Sequence, residues 1–509
     1  MIKYHAVFVY TPFTKIDAMP MAPALLKAIC NSNGLKATTL DYNLELQIAY
    51  YYNKKIAVDV EQYLMFFTKM SVEAYDWYHQ WVEEKAKELI NLKSNWIGFS
   101  LLSYQSLTFT HDICYYIKKF KPKQKIILGG PGISKDDNTN HSYKNNKKMS
   151  DVLIETGLCD TIVINESESL LIDILLNNKK GKFNTNTQLT AEELNQLPAP
   201  SYIDYKLDLY KNNSNIFLSA EQKSVLYTHD VAATITGSKG CVRRCTFCDV
   251  FSFEPKFVFK DGNRIADEMI EIYEKQGITN FMLSDSLING SMKAFRQMNT
   301  ALAKRLPRTI NYFGEYIARP KGQTTADDYH LMAEAGCKHV TIGVESGSEA
   351  VRTHMKKKFT NDDLHLMIES LYNVGITQEW NIMTGYVTET RKDFEETLAL
   401  VKKYKDIPFP KMSVNPVGVL HLLPGSPLYD THARQLDITW EDVKPGVGLI
   451  YDYWYSKQNP DNTFINRVTW WTELIEYCHT NGYMTEYRYK TKKAIADRLI
   501  LEWNKSKIK

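Results

Sequence analysis

Short apolar runs alternate along the chain with longer stretches in which apolar residues recur every three or four positions, as they do in strands and amphipathic helices. In the first third this pattern predicts strands at residues 5–10, 36–41, 96–101, 125–129 and 161–165. It predicts helices at 20–32 and 105–120, another helix beginning near Glu166, and a long aromatic-rich helical insertion at 58–92. Strands separated by helices predict a parallel sheet that binds ligands at the carboxyl ends of its strands.

A second alternating series begins at about residue 226. Its predicted strands are 231–236, 279–284, 309–316, 338–344, 378–385 and 411–419. Helices fit between them at 263–275, 291–305, 324–335, 360–374 and 390–405. Six successive β/α units predict a partial (β/α)6 barrel, whose reactive centre lies among the loops at the carboxyl ends of the strands.

The predicted fold class is therefore α/β, with several domains, as 509 residues would suggest. Residues 1–180 are expected to form a Rossmann-like domain and 226–435 the barrel. Residues 181–225 are polar and turn-rich, with Pro198 and Pro200, and are predicted to be a linker. Residues 436–509 are aromatic-rich and then helical, which predicts a C-terminal helical tail.

Charge and hydropathy limit the choice of partners. A net charge of +3 and lysine tracts that resemble solvated loops give no evidence for a nucleic-acid partner, which would call for a concentrated basic face. No apolar run approaches the roughly 20 residues of a membrane span. The first residues resemble a strand rather than a signal peptide, so we expect a cytoplasmic protein.

The eight cysteines are unevenly distributed. Cys241, Cys245 and Cys248 lie within eight residues, just after the first predicted barrel strand. Three thiolates can each bind one iron of a four-iron cluster and leave the fourth iron open for chemistry. A zinc site with His229 or Asp249 as a fourth ligand, or a chance spacing, are the alternatives. The other five are expected to be buried, inert thiols: Cys30, Cys114, Cys159, Cys337 and Cys478.

The Cys-x3-Cys-x2-Cys spacing, with Phe247 before the third cysteine, resembles the radical S-adenosylmethionine (SAM) superfamily. Residues 281–289, 336–348, 381–390 and 421–429 resemble its second-, fourth- and fifth-strand segments and the run that closes its domain, in that order. The resemblance implies that the three cysteines hold a 4Fe-4S cluster. It also implies that five residues approach SAM: Ser284, Asp285, Glu345, Ser346 and Gly385. Helix capping by Asp285 and Glu345, and tight turns at Gly343 and Gly385, are the alternative interpretations.

The N-terminal segment resembles the cobalamin-binding domain that precedes the barrel in one subgroup of this superfamily. The matching features are residues 126–131, the strand 162–165 leading to Glu166 and Glu168, and residues 197–202. The resemblance implies that Gly129, Gly130 and Pro131 lie beside a corrin ring, with residues 11–21 and 100–105 also lining the pocket.

Some residues depart from that subgroup's pattern. Asn165 replaces a glycine, and Gly132 stands where a histidine often follows. No Asp-x-His-x-x-Gly motif occurs in residues 1–200, which argues against a histidine ligand to cobalt. A domain that serves only as a scaffold is the alternative.

The resemblance implies an enzyme that generates a 5′-deoxyadenosyl radical and, with cobalamin, transfers a methyl group to an unactivated carbon. Its partners would be a small-molecule or peptide substrate and an electron donor such as flavodoxin or ferredoxin. The alternatives are a cobalamin-independent, methylthiotransferase-like enzyme and a non-catalytic metal-binding or cobalamin-binding protein. A methylthiotransferase would need three further clustered cysteines, and Cys30, Cys114 and Cys159 are widely spread.

Neither the substrate nor a catalytic residue can be read from the sequence. Aromatic residues of the C-terminal region could close over the barrel mouth, although residues at this spacing more often form a core: Tyr451, Tyr453, Trp454, Tyr455, Trp470 and Trp471.

Overall fold

A computed structural model describes residues 2–16, 18–66, 68–134, 148–185, 188–213, 232–432, 435–440 and 453–507. Its contacts divide the chain into two compact units. Unit 1 comprises residues 1–219, 228–235 and 267–281, and unit 2 comprises 220–227, 236–266 and 282–509. No helix in the described ranges is both long enough and apolar enough to cross a membrane.

Unit 1 is built on a six-stranded parallel sheet with the order β3-β1-β4-β5-β6-β7. These strands are β1 (Tyr4–Tyr10), β3 (Ala37–Asp41), β4 (Ser94–Ser100), β5 (Lys125–Gly129), β6 (Thr161–Ile164) and β7 (Gly181–Asn184). The short β2 (Ala18–Met19) pairs separately, in parallel, with β8 (Ala232–Ile235).

Helices cover both faces of this sheet. Val7 and Val9 of β1 belong to one apolar cluster, and Ala6 and Phe8 belong to another. This alternation is what a strand buried on both faces requires. The helices are α1 (Met21–Ser32), α2 (Tyr42–Tyr51), α3 (Lys54–Phe66), α4 (Val72–Asn91), α5 (Ser106–Phe120), α6 (Pro131–Ser134), α7 (Met149–Glu155), α8 (Leu171–Asn177), α9 (Ala191–Gln196) and α10 (Leu207–Asn212).

The structure differs from the sequence prediction in two parts of unit 1. The predicted helical insertion is two helices, α3 and α4, and Ser71 caps the second through its hydroxyl. Part of the predicted linker is ordered, because β7 extends the sheet and α9 begins with a Thr190–Glu193 capping box. Polarity misled the linker prediction, since β7 is an edge strand with partly exposed side chains.

From residue 238 onward the strands are β9 (Ser238–Lys239), β10 (Val258–Phe259), β11 (Asn280–Leu283), β12 (Asn311–Tyr316), β13 (Cys337–Glu345), β14 (Thr377–Thr384), β15 (Met412–Val419), β16 (Ile438–Trp440) and β17 (Trp454–Ser456). Strands β11 to β15 are neighbours in chain order. The predicted six barrel strands are thus confirmed as β8 and β11–β15. The antiparallel pairs β9–β10 and β16–β17 were not predicted.

The helices between these strands are α11 (Gly262–Gln276), α12 (Met292–Arg305), α13 (Ala326–Glu334), α14 (Glu349–His354), α15 (Asn361–Asn373) and α16 (Arg391–Lys403), followed by α17 (Phe464–Thr480) and α18 (Glu486–Lys507). Thr325, Thr360 and Thr390 begin α13, α15 and α16 through Thr-x-x-Asp capping boxes. These repeated caps define where each strand-to-helix loop ends. The predicted α/β class and helical C-terminal region are confirmed.

Candidate functional site

The three clustered cysteines lie on the loop that follows β8. Gly240 enters this loop with φ +74°, and its N–H donates to Glu254 Oε2 over 2.6 Å. A side chain at Gly240 would overlap the carbonyl of Lys256, so the loop requires glycine here. Cys245 is buried, whereas Cys241 and Cys248 are half-buried, and all three thiols are free.

Burial raises the pKa of all three thiols, that of Cys248 to about 11. A buried thiolate needs positive charge nearby, which a bound metal centre supplies. Among the described residues, no three Cys, His, Asp or Glu side chains converge tightly enough to hold a single metal ion. The donor set fits a cubane cluster, in which each thiolate binds a separate iron. His229, the suggested fourth zinc ligand, lies outside the described residues.

Glu345 is connected to this loop by a lysine that sequence reasoning missed. Lys357 is 5% exposed, and its ammonium lies 3.0 Å from Glu345 Oε1 and 5.8 Å from the ring centroid of Phe247. Burial alone would lower the pKa of Lys357, but Glu345, Cys245 and Cys241 together raise it. Lys357 lies in a run of three lysines that resembles a solvated tract. The feature of the sequence that could have indicated its burial is its position between two apolar residues, Met355 and Phe359, which are both buried.

The backbone at Glu345 is itself unusual. Its φ is +66°, in the left-handed region that non-glycine residues avoid, and the register between β13 and β14 shifts between Gly343 and Glu345. Such strain persists where surrounding contacts impose it, often at functional sites. Glu345 is not the N-cap of α14, a position held by Ser348, so the capping alternative is wrong for this residue.

Ser284 and Asp285 follow β11 and contact the start of the cysteine loop. Ser284 Oγ lies 2.7 Å from Thr236 Oγ1, and Asp285 accepts hydrogen bonds from Gly237 N and Ser238 Oγ. Burial raises the pKa of Asp285 to about 6. The structure thus shows both residues holding the loop in place, while contact with SAM stays a prediction.

Ser346 and Gly385 make contacts with other buried residues of the protein. Ser346 is fully buried, its hydroxyl lies 3.3 Å from that of Thr397, and its carbonyl accepts from Arg352 Nη1 over 2.6 Å. Gly385 has φ +77°, lies against the side chain of Arg467, and donates its N–H to the buried Glu389 carboxylate. Both therefore have structural roles, and the positive φ of Gly385 agrees with the tight turn that was its alternative interpretation.

A polar row crosses one face of the barrel sheet near these residues. Glu315, Thr341, Glu379 and Ser413 occupy matching positions on β12 to β15. Glu379 accepts from Arg488 over 2.7 Å, whereas burial together with Glu345 and Glu379 raises the pKa of Glu315 to about 7. The adjacent residues Val340 and Ile342 on β13 are fully buried. This face can therefore bind polar groups of a ligand.

In unit 1, the predicted corrin-binding residues lie at the carboxyl end of β5. Gly129 ends the strand, Gly130 has φ +108° and packs against the carbonyl of Leu101, and Pro131 begins α6. Ser103, in the neighbouring loop, has a buried hydroxyl without a partner among the described residues. This hydroxyl, in the loop after β4, is therefore available to hydrogen-bond to a ligand.

Asn165, which departs from the subgroup's glycine, has φ +68°. Asparagine tolerates the left-handed region better than most residues, so it reproduces the backbone that the glycine would provide. The departure therefore leaves the geometry of this loop intact.

The C-terminal aromatic residues belong to the core. Trp454 is fully buried, with Arg467 stacked 3.9 Å from its ring centroid, and Trp471 Nε1 donates to Pro416 O. Tyr453 and Trp470 are also buried, Tyr455 is half-buried, and Tyr451 lies outside the described residues. Closure over the barrel mouth is not supported for the buried tryptophans.

Comparison with known families identifies the class of protein. Residues 235–401 match the family model of the radical SAM superfamily, and they include the cysteine loop, Glu345 and Lys357. Residues 235–401 therefore form a radical SAM domain, and the radical SAM family implies a 4Fe-4S cluster and SAM.

Two curated proteins resemble part of the chain in sequence. The chain is 27% identical over 226 residues to tRNA-2-methylthio-N(6)-dimethylallyladenosine synthase of Clostridium novyi, covering 40% of this chain and 49% of that one. It is 27% identical over 179 residues to cytidylyl-2-hydroxyethylphosphonate methyltransferase of Streptomyces wedmorensis, covering 34% and 30%. The matches thus span half or less of these curated relatives.

Two solved structures share the fold over almost the whole chain. The radical SAM methyltransferase TsrM from Kitasatospora setae, with tryptophan and a SAM analogue bound, matches with a TM-score of 0.58 and 13% identity, covering 95% of this chain and 90% of that one. The cobalamin-dependent radical SAM enzyme OxsB, with aqua-cobalamin bound, matches with a TM-score of 0.61 and 15% identity, covering 98% and 72%. At these identities, the likeness establishes the fold.

Proposed function

We propose that this radical SAM enzyme uses cobalamin to transfer a methyl group to an unactivated carbon of a small-molecule or peptide substrate. The observation that carries the proposal is the extent of the fold likeness. It covers 95% and 98% of this chain for TsrM and OxsB, so it includes unit 1 as well as the radical SAM domain.

The residues of unit 2 suit the 4Fe-4S cluster and SAM. Cys241, Cys245 and Cys248 would hold the cluster, and Glu345 and Lys357 would complement the amino and carboxylate groups of SAM. When bound, the cluster and SAM supply a 5′-deoxyadenosyl radical, and cobalamin supplies a methyl carrier. Reduction needs a low-potential donor such as flavodoxin or ferredoxin.

The residues of unit 1 fit a cobalamin that lacks a histidine ligand from the protein. Gly130 packs closely against the backbone of Leu101 and Gly132 against that of Ser103, whose hydroxyl is unpartnered among the described residues, and Asn165 keeps a glycine-like backbone. Ligands of this fold bind at the carboxyl ends of such strands.

Cobalamin binding is tested by anaerobic reconstitution with iron, sulfide and hydroxocobalamin, followed by gel filtration. We expect corrin absorbance to remain with the protein and to be lost in Ser103→Tyr, which fills the strand end. Asn91→Tyr, an exposed position before β4, is the matched control and should retain the corrin. A wild-type protein that cleaves SAM but retains no corrin would show a cobalamin-independent enzyme.

The methylthiotransferase alternative has one supporting observation, the sequence match to the Clostridium novyi enzyme. It needs a second cluster, and the N-terminal cysteines are poorly suited to hold one. Cys30 and Cys114 are fully buried and Cys159 is 3% exposed, and burial raises the pKa of all three. We therefore favour methyl transfer.

A further inference from the structure

Three other parts of unit 2 hold the middle of the cysteine loop. Thr246 lies between the second and third cysteines and is fully buried. Its N–H donates to Met355 O over 3.1 Å, and its carbonyl accepts from Leu428 N over 2.7 Å. Its hydroxyl lies 2.6 Å from the hydroxyl of Tyr386. Each polar atom of Thr246 is thus bonded, and the segment that carries two of the three thiols is fixed at its centre.

Tyr386 links this segment to the end of helix α14. Tyr386 is fully buried, and its hydroxyl also lies 2.8 Å from Nδ1 of His354, the last residue of α14. Burial raises the pKa of Tyr386, so the phenol keeps its proton for these hydrogen bonds. Lys357, which pairs with Glu345, follows three residues after His354. One phenol oxygen therefore ties the cysteine loop to the chain segment that leads to the buried lysine.

The rest of Tyr386 is fixed as well. Its carbonyl accepts from Glu389 N over 2.7 Å and from Asn462 Nδ2 over 2.6 Å. Its ring belongs to a buried apolar cluster that includes Met355 and Leu428, the two residues bonded to the backbone of the cysteine loop. A side chain held at this many points has little freedom to move, and a satisfied buried network rigidifies the segments that it contacts.

Packing alone does not account for the hydroxyl of Tyr386. A phenylalanine ring would fill the same apolar space, whereas a buried hydroxyl costs free energy unless it is hydrogen-bonded. Its partners, Thr246 and His354, lie far apart in the chain, and each is close in sequence to a residue assigned to a cofactor. The hydroxyl is therefore placed to keep two cofactor-binding segments in register.

We propose that Tyr386 is a positioning residue, which holds the cysteine loop against the segment of Lys357 and so keeps the 4Fe-4S site and the SAM site in register. The inference rests on the proposed contact of Lys357 with SAM. A second contact joins the same two segments, because the Lys357 ammonium is 5.8 Å from the ring centroid of Phe247, which follows Thr246. Tyr386 itself need touch neither cofactor, since it acts through Thr246 and His354.

The first test needs no cofactor and measures alkylation of Cys245, which is 8% exposed. The full-length protein is treated with iodoacetamide before reconstitution, and mass spectrometry follows the labelling of each cysteine. Tyr386→Phe and Thr246→Val each remove the hydrogen bond between the two hydroxyls, so labelling of Cys245 should become about tenfold faster in either variant. The double variant should be no faster than the single variants, because the two hydroxyls act as a pair.

The second test uses the reconstituted enzyme, in which the EPR spectrum of the reduced cluster follows a titration with SAM. Iron content should stay at the wild-type level in Tyr386→Phe, because both backbone hydrogen bonds of Thr246 remain. The apparent Kd for SAM should rise about tenfold, which is roughly what the loss of one buried hydrogen bond is worth.

Tyr483→Phe is the matched control, because it deletes a buried tyrosine hydroxyl that donates to Val401 O over 3.0 Å. It should match wild type in both tests. Labelling of Cys337, which is buried in β13, should be the same in all variants and reports general unfolding.

The outcomes separate this inference from the proposed function. Unchanged labelling of Cys245 in Tyr386→Phe, or an unchanged Kd for SAM, would overturn the inference while the proposed function stands. Faster labelling of Cys337 together with Cys245 would show general destabilisation and would also overturn it. Wild-type protein that retains no cluster or binds no SAM would contradict the proposed function itself and would overturn the inference with it.

Discussion

Asp41 and Glu345 both end a parallel strand, yet the molecule uses them differently. Asp41 at the end of β3 has an ordinary extended backbone, caps α2 by accepting from Leu44 N, and accepts from the Tyr210 hydroxyl. Glu345 at the end of β13 has φ +66° and faces the buried ammonium of Lys357. Strand-end position alone therefore does not distinguish a capping carboxylate from one that we propose to contact SAM. The two differ in that Glu345 combines a left-handed backbone with a buried counter-charge.

The largest loss of activity should come from substituting Lys357. Lys357→Met leaves Glu345 buried without its partner, and breaking one side of a buried pair typically costs about 3–5 kcal/mol. We expect 5′-deoxyadenosine formation to fall more than about 100-fold, which corresponds to roughly 3 kcal/mol, and the SAM-induced change in the cluster's EPR spectrum to disappear.

Lys357→Arg keeps the charge and should retain part of the activity. Asp41→Asn keeps an N-cap and should cleave SAM at the wild-type rate. Equal losses in Lys357→Met and Asp41→Asn would abolish the distinction between the two strand ends.

Alanine substitutions at two glycines test whether the cysteine loop tolerates a side chain less well than an open turn does. Gly240→Ala combines φ +74° with an overlap against Lys256 and should destabilise unit 2 by about 3 kcal/mol, with reduced iron content. Gly322→Ala has φ +83° in open space and should cost about 1 kcal/mol, with full iron content. Denaturant melts and iron analysis of both variants give the comparison, and similar iron loss in Gly322→Ala would contradict it.

A pH-dependent difference should arise at Glu389. Burial raises its pKa to about 8, so the protonated form stabilises the native state and this stability is lost as pH rises toward 8. Glu389→Gln retains an acceptor for Gly385 N without the charge. Between pH 6 and 8 the variant should gain roughly 2 kcal/mol relative to wild type, measured by urea midpoints. A constant difference across this range would show that Glu389 is ionised throughout.

The smallest effect belongs to an exposed ion pair. Arg391 contacts Glu473 at 2.6 Å, and both side chains are substantially exposed. Arg391→Met should cost less than about 1 kcal/mol, and the loss should shrink in 1 M salt. An equal loss of stability in Arg391→Met and Lys357→Met would mean that burial does not determine how much an ion pair stabilises the protein.

The sequence predicted the strands well because barrel strands such as β13 and β14 consist mostly of buried residues, and threonine caps mark helices that follow. It also predicted that the three cysteines share one loop after β8, because thiols so close in the chain need no distant information. It missed Lys357, because a lysine's burial depends on Glu345 and Phe247, which are 10 or more positions away.

The most direct test of the central claim is SAM cleavage by the anaerobically reconstituted full-length protein, measured as 5′-deoxyadenosine together with the absorbance and EPR spectra of the cluster. Wild type should show a 4Fe-4S signal and reductant-dependent 5′-deoxyadenosine. The Cys241→Ala/Cys245→Ala/Cys248→Ala variant should show neither, while Cys30→Ala should behave like wild type. Folded wild-type protein without a cluster or cleavage, or cleavage that survives in the triple variant, would contradict the account.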